Sequence, residues 1–288
     1  MTSNRIRVEV QLGDKRYWAD LSRPVSLAIP QHFDQHQVNH FGVEPARRAP
    51  IRAGDFIGST RQGGSCNVDR ISITPHCNGT HVEHVGHIVD EVSGGPLKSV
   101  APLMIAALIS VETAGAERCG GETYRPPLNP GDRMVSAASL RKAAANLPDV
   151  AAASALIIRT LPNDAEKRHR RYGPAFDPPF FTVEALAWIN DVRFEHLLVD
   201  FPSLDRMHDE GLLTNHHLFW NIAETTHRVA PAARIGRSVS ELLFVPDELP
   251  DGFYLLNLQF PDWGTDAAPA RPIVFPLKAH DDHDQRID

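Results

Sequence analysis

The sequence predicts a mixed α/β, β-rich fold, and three observations carry that prediction. Short apolar or alternating runs recur along the chain, among them "RIRVEV", "LMIAALISV", "ASALIIRT" and "FEHLLVDF", each of strand length. Only two segments, "SAASLRKAAANL" and "TVEALAWIND", have the composition and start signals of helices. The helices intervene irregularly, so the regular βαβ rhythm of a doubly wound sheet is missing.

Taken in order, "RIRVEVQLGDKRYWADL" alternates Ile6, Val8, Val10 and Leu12, turns at Gly13-Asp14 and resumes, which predicts a β-hairpin. The run to about residue 64 is polar, rich in Pro and Gly, and nearly aperiodic. "VDRISIT" (68–74) is a short strand leading into a histidine-rich loop. "LMIAALISV" (103–111) is a buried strand, its β-branched residues outweighing the helical alternative. The helix from residue 136 has Ser136 as its cap, and the one from residue 182 has Thr182. "FEHLLVDFPSLD" is a strand ending in a Pro-Ser turn, where Asp200 and Asp205 read as turn-formers bonded to local backbone. "VSELLFVPDELPDGFYLLNLQF" (239–260) pairs two β-rich runs across a Pro/Asp/Gly turn and predicts a second hairpin. The charged tail "AHDDHDQRID" is read as frayed.

With 288 residues, 42% hydrophobic and 23% charged, the chain suits one domain over 1–288, with loop excursions near 112–133, 161–180 and 221–237. A net charge of −7 gives no basic footprint for nucleic acid. The longest apolar run is too short to span a bilayer, and the N-terminus lacks a signal-type apolar region, so the chain is read as cytoplasmic with no membrane partner. Three cysteines make no disulfide framework, and Cys66 and Cys119 read as ordinary thiols. Nucleophile-elbow, Walker and dinucleotide-loop signatures are absent.

The chemistry concentrates in "PHCNGTHVEHVGHI" (75–88), which holds His76, Cys77, His81, Glu83, His84 and His87. His81 and Glu83 are two apart and so share one side of an extended segment. Thiolate, imidazole and carboxylate together suit a divalent cation, zinc first, with manganese or iron as alternatives. His87, four residues past Glu83, is placed to carry protons rather than to ligate.

"CNGTHVE" followed by His87 resembles the signature of the cyclase or kynurenine formamidase (arylformamidase) family of metal-dependent hydrolases, H-x-G-T-H-x-D and a further His. "ADLSRPVS" (19–26), "LLVDFPSLD" (197–205), "LLTNHHLFW" (212–220) and the run from 239 through "DAAPARPIVFPL" (266–277) are similar to its other landmarks, in the same order. The resemblance implies a kynurenine formamidase fold of the swivelling β/β/α type, metal ligands at Cys77, His81, Glu83, His216 and Glu241, and an acid/base residue at His87, with Glu241 also fixing the metal for catalysis. It further implies a homo-oligomer, dimer or tetramer. Two positions depart from the pattern: Cys77 stands where the family has His, and Glu83 where it has Asp. His76 is the alternative first ligand if the loop shifts by one; His217 and His227 are the alternatives to His216.

The implied activity is hydrolysis of a small amide, ester or lactone by metal-activated water, arylformamidase-like, on an N-formyl aryl amine such as N-formylkynurenine; cyclisation on the same metal is a variant. The alternative is a non-catalytic small-molecule-binding protein on the same scaffold. His32, His36 and His40, four apart, read as a solvated face, and Phe219 and Trp220 as core.

Overall fold

The computed structural model describes residues 6–33, 36–90 and 100–279; the tail from residue 280 lies outside the described residues. Eleven strands form the main sheet. They are β1 (Arg7–Leu12), β2 (Lys15–Asp20), β3 (Val25–Ser26), β4 (His81–His84), β5 (Leu103–Glu112), β6 (Ala155–Leu161), β7 (His196–Val199), β8 (Ser238–Glu241), β9 (Gly252–Asn257), β10 (Ala267–Pro269) and β11 (Ile273–Ala279). Their order is β1-β2-β11-β9-β5-β6-β7-β8-β4-β10, with β3 beside β11. The four central strands β5 to β8 are parallel, and antiparallel strands extend the sheet on both sides.

The helices are α1 (Pro75–Asn78), α2 (Ala137–Ala144), α3 (Val183–Val192) and α4 (Thr214–Trp220). The last three connect β5 to β6, β6 to β7 and β7 to β8, so a βαβ alternation does run through the centre. Long connections obscure it in the sequence. All three helices pack on one face, where Leu140, Leu186, Ile189, Phe219 and Trp220 meet Ile109, Leu156, Val199 and Val239. The alternate residues Leu108, Ile157, Leu198 and Val82 face the opposite core with Leu27, Leu243 and Tyr254. Strands buried on both faces read as continuous apolar runs, which is why β5 and β6 show no period of two.

The β1–β2 hairpin forms in the predicted register, Val10 opposite Tyr17. Both caps form: Ser136 Oγ accepts from Ser139 N, and Thr182 Oγ1 from Ala185 N, each at 3.1 Å. The hairpin expected over 239–260 does not exist. β8 is flanked by β7 and β4, and β9 by β5 and β11. Both edges of each run are taken, and the link between them sinks Leu243, Val245 and Leu249 into the core opposite the helices. "VDRISIT" does supply a strand, Asp69–Ser72, but it pairs with Arg47–Pro50 outside the main sheet. The excursion at 112–133 contributes Ala114–Gly115 to a small sheet with Arg133–Val135 and Phe180–Phe181. Residues 221–237 form an irregular, largely exposed loop.

Candidate metal centre

β4 and β8 pair antiparallel with Glu241 opposite His81 and Val239 opposite Glu83. Val239 belongs to the helix-side core and Val82 to the other. By strand alternation His81, Glu83 and Glu241 therefore all project toward the helices, where α4 presents His216.

There the four side chains meet, each at most 3% exposed. His216 Nε2 lies 3.0 Å from Glu83 Oε1 and 3.7 Å from Glu241 Oε1, and His81 Nε2 lies 3.4 Å from Glu241 Oε2. His76, from α1, adds Nδ1 at 3.0 Å from Glu83 Oε2. Each main imidazole is anchored from behind. His81 Nδ1 is held by the Gly79 carbonyl at 3.0 Å, and His216 Nδ1 by Asp205 Oδ2 at 2.6 Å. That leaves both Nε2 atoms turned inward, the usual arrangement behind metal-binding histidines.

The donors fit a divalent ion on two counts. His81 Nε2 is buried and has no hydrogen-bond partner, and Glu83 Oε2, though 3.0 Å from His76 Nδ1, makes no well-aligned hydrogen bond, a state expensive for polar atoms that have no further role. An ion about 2.1 Å from each of four donors also spaces them about 3.4 Å apart, as seen here. Among the described residues three triads can each close on one point: His76–His81–Glu83 and Glu83–His87–His216, which share Glu83, and His76–His87–Asp266.

The electrostatics favour positive charge at this place. Burial pushes the Glu83 carboxyl up, but His87 and His216 outweigh it and hold it well below the usual range. Burial pulls His216 down, yet Glu83, Asp205 and Glu241 raise it well above an ordinary histidine. His76 is likewise opposed by burial and carried up to about 10 by the carboxylates of Asp266 and Glu83.

Among the described residues, the groups able to hold a metal take in His81, Glu83, His87 and His216 but neither the Cys77 sulfur nor Glu241, which meets the cluster through its contacts with His81 and His216. Cys77 is the third residue of a short helix whose second, His76, turns toward Glu83. Burial, then Glu241, pushes the Cys77 thiol up to about 11. His217 bonds instead to the Ile222 carbonyl, and His227 to that of Ile88; neither joins these groups.

Other readings also change. Asp200 and Asp205 are not local turn-formers. Asp200 accepts from Thr160 and from the buried Lys167, and Asp205 from Tyr124, Asn215 and His216. His32, His36 and His40 make no helical stripe: His36 stacks on His169, and His40 is 2% exposed. Phe219 and Trp220 are core, as read. Asp266 was missed. Its Oδ2 lies 2.8 Å from His76 Nε2 and 3.3 Å from His87 Nδ1, a convergence that only the pairing of β10 with β4 creates.

The family model described as "Putative cyclase" matches residues 19–206. No curated protein matches the sequence. Among solved structures, a "predicted metal-dependent hydrolase" from Bacillus stearothermophilus is similar, with TM-score 0.54 at 16% identity, covering 88% of this chain and 98% of that one. Isatin hydrolase A from Ralstonia solanacearum gives TM-score 0.53 at 16% identity, covering 88% and 91%. A potential metal-dependent hydrolase with cyclase activity gives 0.52 at 15%, covering 88% and 98%. At these identities the likeness is one of fold. No helix among the described residues is long and apolar enough to cross a membrane.

Proposed function

Because the chain belongs to the cyclase family, we propose that it is a metal-dependent hydrolase of a small amide, ester or lactone. The observation that carries this reading is the convergence of His81, Glu83, His216 and Glu241, with the buried His81 Nε2 left without a hydrogen bond. His76 stands with them in the role the sequence suggested for Cys77. With the thiolate gone the donor set is nitrogen and oxygen, which suits zinc, manganese or iron(II). Bound here, such an ion polarises a carbonyl and lowers the pKa of water from 15.7 to about 7.

The chain's own groups do the rest. Gly79 and Asp205 fix the tautomers of His81 and His216, so both rings keep a lone pair toward the ion. Glu241 is steadied by the Leu204 N–H, 3.0 Å from its Oε1. His87, about a quarter exposed and 5.3 Å ring to ring from His216, stands at the open side of the cluster. It accepts a proton from the attacking water and returns it to the departing nitrogen or oxygen as the carbonyl–heteroatom bond breaks. Water is added across one bond, and no covalent enzyme intermediate is needed. N-formyl aryl amines such as N-formylkynurenine are the leading substrates; cyclic amides of the isatin type are the next class, after the similar fold.

Elemental analysis of the purified protein, with assays on N-formyl aryl amines, isatin-type cyclic amides and lactones, tests the reading. Stoichiometric divalent metal and turnover abolished by chelator, then restored by metal, are expected. Protein lacking metal, or hydrolysis indifferent to chelator, overturns it.

A further inference from the structure

We infer that Asp266 is a positioning residue that fixes the His87 imidazole in one tautomer and one orientation for proton transfer. The inference rests on the hydrolase reading and concerns a residue outside the ligand set proposed above.

A single oxygen of Asp266 serves two rings, His76 Nε2 at 2.8 Å and His87 Nδ1 at 3.3 Å. The rings lie 4.4 Å apart at 34°. An ionised carboxylate only accepts, and both rings face the same oxygen. Both facing nitrogens must therefore donate. His87 then carries its hydrogen on Nδ1, and Nε2 is the nitrogen left to exchange a proton with substrate. A mobile imidazole would present either nitrogen, and its ring would swing about its own side-chain bonds.

Strand register, rather than a loose loop, sets where Asp266 stands. Ala267 pairs opposite Glu83 across β10 and β4, and the Asp266 carbonyl accepts from His84 N at 3.1 Å. The His84 ring bonds back to the Thr265 carbonyl at 3.3 Å. Gly86 lets the turn out of β4 pass beneath this carboxylate: a Cβ there would lie 2.5 Å from the His84 ring and 3.5 Å from Asp266 Cβ. The chain thus brings His87 round to meet a carboxylate already held by the sheet edge. The same carboxylate orients His76 from behind, since His76 turns Nδ1 to Glu83 and Nε2 to Asp266. An acid/base group and a proposed ligand are thereby tied to one point.

The full-length, metal-loaded protein, labelled with 15N-histidine, tests this by ring 1H–15N correlation, with a His87→Gln sample to assign His87. The wild type is expected to show His87 protonated at Nδ1, and Asp266→Ala to lose that preference while keeping its metal stoichiometry. Turnover by Asp266→Ala is expected to fall about 10²- to 10³-fold in kcat, with KM within about threefold. Added formate, small enough to enter a half-exposed site, restores part of the rate. In a His87→Ala background the second substitution adds no further loss. Should Asp266→Ala fold poorly, Asp266→Asn carries the same measurements, with a smaller loss because its amide oxygen still accepts. An unchanged His87 tautomer, loss of metal in step with activity, or losses that multiply with those of His87→Ala each overturn the inference. A wild type that turns over nothing sinks the hydrolase reading alone, because the tautomer is measured without substrate.

Discussion

Asp205 Oδ2 accepts from His216 Nδ1 at 2.6 Å, with both side chains 1% exposed. The same carboxylate receives the Asn215 and His216 backbone N–H groups, so it both starts α4 and aims its histidine. Burial opposes ionisation of Asp205, but the His216 bond outweighs it and keeps the carboxyl below its ordinary range. Asp205→Asn is expected to weaken metal affinity about 10- to 100-fold, measured by competition with a chromogenic chelator.

Cys77 and His76 are neighbours with different fates. Cys77→Ala is expected to keep the metal stoichiometry of the wild type, and His76→Ala to lower it. Elemental analysis of the two variants decides, and loss of metal from Cys77→Ala would restore the thiolate to the ligand set.

Lys167 and Asp200 form a buried ion pair at 2.8 Å, with side-chain exposures of 6% and 0%. Lys167→Met leaves the buried Asp200 carboxyl without its ammonium partner, a loss of about 3–5 kcal/mol. The double variant Lys167→Met/Asp200→Leu recovers much of it. Urea unfolding of both variants measures the difference.

His196 is held below the ordinary 6.5 by burial first and then by Arg237, against the pull of Glu195. Below 6.5 the unfolded chain binds a proton that the folded chain refuses. The stability that His196 provides is thus complete above 6.5 and lost as the pH falls toward its lowered folded value. His196→Gln removes that dependence, which for one proton is at most about 1.4 kcal/mol per pH unit. The advantage of wild type over variant in urea midpoint is expected to shrink from pH 7.5 to pH 5.5.

What the sequence made legible follows a physical divide. Ser136, Thr182 and the Gly13-Asp14 turn act on neighbours within a few residues, so local rules find them. His81 and Glu83 were readable as a pair because a strand repeats every two residues. His216 and Glu241 came into view only through the family resemblance, since nothing near them in the chain marks their face. The runs at 239 and 252 read as partners because adjacency in sequence favours a hairpin, yet each took one neighbour 100 residues or more away, in β4 or β5. The placing of His76 rather than Cys77 against Glu83, and the arrival of Asp266, depend on how a helical turn and an edge strand sit there, which no local pattern encodes.

The register of β4 on β8 sets when the centre can exist. Glu241 faces His81 across 160 positions of chain, so this closure belongs to the slow, long-range part of folding. A slip of one residue would turn one strand's donors away from the other's. A nascent chain that has emitted the whole histidine-rich motif therefore carries only part of the donor set until residues 238–241 arrive and zip against it. A product of synthesis or proteolysis cut short of Glu241 has an incomplete cation site whatever motif it carries.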